Sequence, residues 1–333
     1  MANQDIYKEL SKKLMMENSE ILPKIWGAIC TEEEAEIENL LPGTVEDIAE
    51  RAGKSVAETN EIIQSLFHKG ATFEYVRDEK THYRMPRHVV QFHDSSILWR
   101  EAPPELIDLW VKFVNHKEYQ QLLELAVEVK LPAFLRVVPI NEAIEAKNQV
   151  LVYEDAAKLI EDAKSLAVVD CVCRKSMKKC NAPVEVCLQL NRGADYTIKR
   201  GTGRKIDVQE AFAILKKSEE AGLVHMTDNR AGKVNIICNC CRCCCEILRY
   251  ATNIKTKGIL APSRYQALVD EDECTSCGMC VDICPTEALS LNEDAVLEID
   301  TANCIGCGLC ASTCPVEAIT LKEIRAEDFI PLK

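Results

Sequence analysis

Two segments repeat at a fixed offset of 30 residues, and that repeat constrains the chain more than any other feature. CTSCGMCVDICPTEALSL (274–291) aligns with CIGCGLCASTCPVEAITL (304–321). The cysteines, Gly278 and Gly308, Pro285 and Pro315, and the Glu-Ala pairs all coincide. Each copy reads C-x2-C-x2-C-x3-C-P. Three thiolates two residues apart wrap one metal core from a single loop, and the neighbouring glycine lets backbone amides approach that core. The proline is expected to end the loop and start a short helix. A chain that carries this run twice must fold locally around thiolate-bound metal.

Over about residues 265–325 the run resembles the bacterial two-cluster ferredoxins. The resemblance implies two [4Fe-4S] clusters in a βαβ-type module, with the fourth cysteine of each run ligating the cluster of the other run. Cluster 1 would then take Cys274, Cys277, Cys280 and Cys314, and cluster 2 would take Cys304, Cys307, Cys310 and Cys284. That exchange sets the two clusters side by side, close enough for rapid electron hopping. Two four-thiolate zinc sites are the alternative, but zinc usually takes two C-x2-C pairs with a longer spacer between them.

The 333 residues include 19 cysteines, and of these Cys30 alone precedes residue 171. The opening MANQDIYKELSKKLMMENSE lacks the apolar core of a secretion signal. No stretch reaches about 18 uncharged apolar residues, so no membrane insertion is expected. The thiols are therefore expected in a reducing compartment, the cytoplasm, where clustered cysteine signifies metal. A formal charge of −13 disfavours nucleic acid and suits redox partner proteins with basic docking surfaces.

Ten cysteines remain between residues 171 and 245. Cys171, Cys173, Cys180 and Cys187 follow one apolar run, AVVD; Cys238, Cys240, Cys241, Cys243, Cys244 and Cys245 end another, VNII. The arrangement resembles a cysteine domain found beside ferredoxin modules in uncharacterised proteins of anaerobes. Soft thiolates in this number select iron–sulfur sites, so at least one additional Fe-S cluster is expected, with Cys171, Cys173, Cys238 and Cys241 as the chosen ligands. A zinc site, redox-active thiols and structural cysteine are the alternatives. Vicinal pairs such as Cys240–Cys241 are poorly placed to share one metal, so part of the run must point elsewhere. The basic loop KRGTGRK (199–205) could hold the phosphate of a nucleotide or flavin. It lacks the full nucleotide fingerprints, and a solvated loop that offsets cluster charge is the plainer reading.

Toward the N-terminus, TVEDIAERAGKSVAETNEIIQSLFHKG (44–70) carries two amphipathic helices around Gly53, with Thr44 and Ser55 in N-cap positions. Val45, Ile48 and Ala49 should face inward in the first, and Val56, Thr59, Ile63, Leu66 and Phe67 in the second. ATFEYVRDEKTHYRM then alternates like a hairpin with a charged turn at Asp78–Lys80. This order resembles a winged helix, but Glu58 and Glu61 with no Lys or Arg between Val56 and Phe67 suit docking better than DNA. The expected fold is α+β in three parts: a helical winged-helix-like domain (1–100), a helical segment and cysteine-rich α/β domain (101–260), and the ferredoxin-like module (265–325). Residues 103–165 read as largely helical, and Ala261–Tyr265 reads as a linker. The expected function is intracellular electron transfer in an anaerobe, between the ferredoxin clusters and a further Fe-S site in the middle domain. A reductase with its own active site among the middle cysteines is one alternative; a redox-sensing regulator using the winged helix is another.

Overall fold

The computed structural model describes residues 4–144, 154–253 and 255–331. It divides into two compact units, Met1–Gln121 and Leu122–Lys333. Both mix helices with sheets, an α+β arrangement. The helical reading of 103–165 includes residues 145–153, which lie outside the described residues.

In the first unit, α1 (Gln4–Lys13), α2 (Leu22–Ile29), α3 (Glu32–Asn39), α4 (Val45–Ala52) and α5 (Val56–Lys69) lead into a hairpin of β1 (Phe73–Arg77) and β2 (Lys80–Arg84). Then come α6 (Val89–Ile97), α7 (Pro104–Val114) and α8 (Lys117–Glu128), which carries the division at Gln121. The Thr44 hydroxyl accepts the Asp47 amide at 3.2 Å while the Asp47 carboxylate accepts the Thr44 amide at 3.1 Å. Ser55 and Glu58 repeat this reciprocal cap on α5, and each such cap contributes about 1 kcal/mol. Gly53 closes α4 at a φ of 65°, where a Cβ would be strained. Ile48, Ala49, Thr59, Ile63, Leu66 and Phe67 are buried, but Val56 is 49% exposed. Val56 stands on the first turn of α5, before the buried stripe that begins at Thr59. The hairpin turns on Asp78 and Glu79, both at positive φ. Trp26 stacks on Phe92 at 4.0 Å, and Trp110 of α7 meets the edge of Phe92 at 5.4 Å. Because that aromatic core includes α7, the unit runs on past residue 100. Cys30 is buried in it.

The second unit is built on a seven-stranded sheet of order β6-β4-β5-β8-β7-β3-β9. Its elements in chain order are β3 (Leu135–Val137), α9 (Ala156–Glu161), β4 (Leu166–Asp170), α10 (Val172–Met177), β5 (Glu185–Leu190) and α11 (Arg192–Lys199). Next come β6 (Arg204–Lys205), α12 (Val208–Glu220), β7 (Val224–Asp228), β8 (Ile236–Cys240) and β9 (Leu260–Ala261). Val168, Val186, Leu188, Leu190 and Ile237 of the sheet pack with Ile160 of α9 and Ala211 and Leu215 of α12 in one buried cluster. β4 and β8 each run antiparallel to the β5 between them. Both therefore finish at the sheet end where β5 begins. This topology brings the first and second cysteine groups together.

The C-terminal part of this unit pairs β10 (Tyr265–Val269) with β13 (Ile319–Glu323), and β11 (Leu289–Leu291) with β12 (Leu297–Ile299). Between the strands lie α13 (Met279–Ile283) and α14 (Leu309–Thr313). Each helix starts after a glycine at positive φ, Gly278 or Gly308, and ends at the fourth cysteine of its run. The prolines thus follow the short helices instead of starting them. A residue with no N–H that clashes with the preceding turn serves here as a stop. Nor is 261–265 a solvated linker. Ala261 pairs with Arg136 in the sheet, and Ser263 and Arg264 are buried. Arg264 is held by Glu154 at 2.9 Å and Glu323 at 3.0 Å.

Candidate metal centres

Two cavities, each partly open to solvent, lie in the C-terminal part. Cys274, Cys277, Cys280 and Cys314 line the first; Cys284, Cys304, Cys307 and Cys310 line the second. Each cavity thus gathers three cysteines of one run with the fourth of the other. The remaining walls are mostly apolar, with Leu291, Leu297 and Ile319 on the first and Ala267, Leu289 and Leu321 on the second. Burial pushes the Cys307 thiol up to about 12, and pushes Cys280 and Cys310 up as well. Such walls hold these three sulfurs as neutral thiols until a cationic metal core replaces the protons. Gly306 is fixed by a close approach, because a Cβ there would strike the Tyr265 carbonyl. The Ala288 amide donates to Cys284 Sγ at 3.2 Å, a bond that stabilises a thiolate. Thiol number and spacing fit iron–sulfur clusters.

Residues 267–321 form a 4Fe-4S dicluster domain. That description belongs to the family that matches those residues. A protein described as a probable ferredoxin from Methanosarcina thermophila is 53% identical over 34 residues, which is 10% of this chain and 59% of that protein. The chain therefore spans somewhat over half the length of the relative it matches. The dicluster domain and its cysteines support an iron–sulfur electron-transfer role. The domain is joined closely to the sheet: the Ile140 amide donates to the Cys307 carbonyl at 3.1 Å, and Ile144 bridges Leu321.

At the shared end of β4, β5 and β8 the middle cysteines fall into two groups. The Sγ atoms of Cys180, Cys241, Cys243 and Cys244 lie within 4.8 Å of one another. A second group runs in series: Cys173 and Cys240 are hydrogen-bonded to Cys245, and Cys240 also to Cys238. Cys171 stands near Cys245 and Cys241, and burial pushes its thiol up to about 12. Bonds from Cys173 and Cys240 hold Cys245 well below the ordinary range. The structure therefore does not gather Cys171, Cys173, Cys238 and Cys241 as one set. Strand alternation places Cys238 and Cys240 on one face of β8, and Cys241 leaves beyond the strand end to meet Cys180. Cys240 and Cys241 do part, yet the vicinal sulfurs of Cys243 and Cys244 come to 3.7 Å. Cys187 lies in neither group, opposite Val169 within the sheet.

One residue that spacing did not single out as a positioning group is Arg174. It is buried and donates to the Pro183 carbonyl at 2.9 Å, the Asn239 carbonyl at 2.9 Å and Cys241 Sγ at 3.4 Å. Its signal was the CVCR run itself, since an arginine directly after two cysteines has the reach for both strand ends. In KRGTGRK, by contrast, both guanidinium groups have partners within the chain, one at the surface and one buried. Arg204 pairs with Glu185 at 3.2 Å and Glu210 at 2.7 Å, and buried Arg200 lies over the Tyr196 ring. Among the described residues, no helix is long and apolar enough to cross a membrane.

Proposed function

We propose that this chain is an iron–sulfur electron-transfer module or subunit of an intracellular oxidoreductase system of an anaerobe. The observation that carries the reading is the composition of the two cavities, three cysteines of one run and the fourth of the other in each. Cys274, Cys277, Cys280 and Cys314 hold cluster 1; Cys304, Cys307, Cys310 and Cys284 hold cluster 2. Each cluster supplies one-electron chemistry, at a potential that its surroundings set within a range of roughly −700 to +450 mV. The protein's part is to fix the sulfurs, exclude water with apolar walls and present amides to the thiolates. α13 packs against α14, so the two cavities lie on adjoining elements.

Electrons pass between these clusters and a further iron–sulfur site that draws its ligands from Cys171, Cys173, Cys238, Cys240 and Cys245. Five soft thiols converging on one sheet end support this assignment. The N-terminal 1–100 region serves as a winged-helix-like docking domain and not as a DNA reader, because α5 has no Lys or Arg before Lys69. The acidic chain meets basic surfaces on its redox partners in the cytoplasm.

Reductive titration under anaerobic conditions tests this reading. The full chain should take up about three electrons, one per cluster, and the Cys171→Ser/Cys173→Ser double variant about two. A chain that accepts none at any accessible potential is not an electron carrier. Equal uptake by both proteins would remove the middle site.

A further inference from the structure

The sulfur separations of the compact middle group are short. Cys180–Cys241 and Cys243–Cys244 are 3.7 Å apart and Cys180–Cys244 is 4.0 Å. One ion with metal–sulfur bonds of about 2.3 Å spreads four tetrahedral thiolates about 3.8 Å from each other. Thiolates on a cubane each bind a different iron and stand farther apart. We propose that Cys180, Cys241, Cys243 and Cys244 form a mononuclear tetrathiolate site for zinc, separate from every iron–sulfur site assigned above.

Sequence and surroundings agree with this. Cys241 and Cys244 make a C-x2-C pair, the spacing zinc takes from one tight turn. The Cys245 amide closes that turn on the Cys241 carbonyl at 3.1 Å. Cys180 arrives from the loop before β5, which the sheet order brings beside the end of β8. Around the four sulfurs stand donors of the kind that orient metal-bound thiolates: Arg174 Nη1 to Cys241 at 3.4 Å, the Cys244 amide to Cys241, and the Lys179 amide to Cys244. Four thiolates around a divalent ion carry a net negative charge, and Arg174, with Nη1 3.4 Å from Cys241, offsets part of it. Four protein ligands fill a tetrahedron and leave no open position, the mark of a structural site. Such an ion pins the loop before β5 to the turn after β8.

Elemental analysis of the full-length, anaerobically isolated protein tests the assignment. About one zinc per chain is expected beside the iron, and Cys180→Ser/Cys244→Ser should lose that zinc with the iron content unchanged. Because losing two ligands can loosen the fold, X-ray absorption at the zinc edge of the unaltered protein supplies a second readout, with four sulfur neighbours at about 2.3 Å. Absence of zinc, loss of iron from the double variant, or nitrogen or oxygen in the zinc shell would each overturn the proposal. The iron content of the dicluster domain is read in the same analysis, so failure of the zinc site and failure of the electron-transfer reading are told apart.

Discussion

Cys284→Ser should strip iron from the site that begins at Cys304 and leave the site that begins at Cys274 intact. Cys284 sits only four residues beyond Cys280, yet its sulfur lines the cavity with Cys304, Cys307 and Cys310. Loss of one of four thiolates exposes an iron corner to water. About four iron atoms per chain are expected to go, with as many sulfides. Cys314→Ser should do the converse. Electron paramagnetic resonance of the reduced variants separates the two sites, and the pair of spectra should be complementary. A Cys284→Ser protein that loses the cluster nearest in sequence would refute the crossed assignment.

The second large effect concerns the buried ion group behind the dicluster domain. Arg264 has no solvent exposure, and Glu154, its partner at 2.9 Å, is 1% exposed. Glu323, the other carboxylate, is 32% exposed. Truncating Glu154 leaves the buried cation with only the partly exposed Glu323 as counter-charge, so Glu154→Ala should cost about 3 kcal/mol. Glu323→Gln removes a half-hydrated partner and should cost about 1 kcal/mol or less. Guanidinium unfolding followed by loss of the visible cluster absorption measures both. Similar midpoints for Glu154→Ala and the unaltered protein would contradict this account of the group.

The parts of the molecule that sequence made legible are those whose constraints are local. The dicluster repeat is readable because three ligands, a glycine and a proline occupy one short loop, and because the fourth cysteine crosses by a fixed offset. The caps at Thr44 and Ser55 are readable for the same reason, since donor and acceptor are three residues apart. The middle cysteines are different. Their grouping depends on β5 lying between β4 and β8, a strand order that no local pattern encodes. Cys180, Cys243 and Cys244 therefore escaped the expected ligand set, and the structure sets Cys241 beside them. The stretch 261–265 misleads in the same way. Pro262, Ser263 and Arg264 have the composition of a linker, but Arg264 is neutralised by a carboxylate 110 residues away. A chain cut before Arg264 would leave Glu154 buried without that partner, so the sheet and the dicluster domain are best studied joined.

The central claim is that iron–sulfur chemistry extends beyond the dicluster domain to the cysteines at the sheet end. Iron and acid-labile sulfide in the full chain, purified without oxygen, measure this directly. The account predicts about twelve of each per chain, eight in the dicluster domain and four at the further site. A value of about eight, unchanged in Cys171→Ser/Cys173→Ser, would contradict it and end the electron path in the dicluster domain.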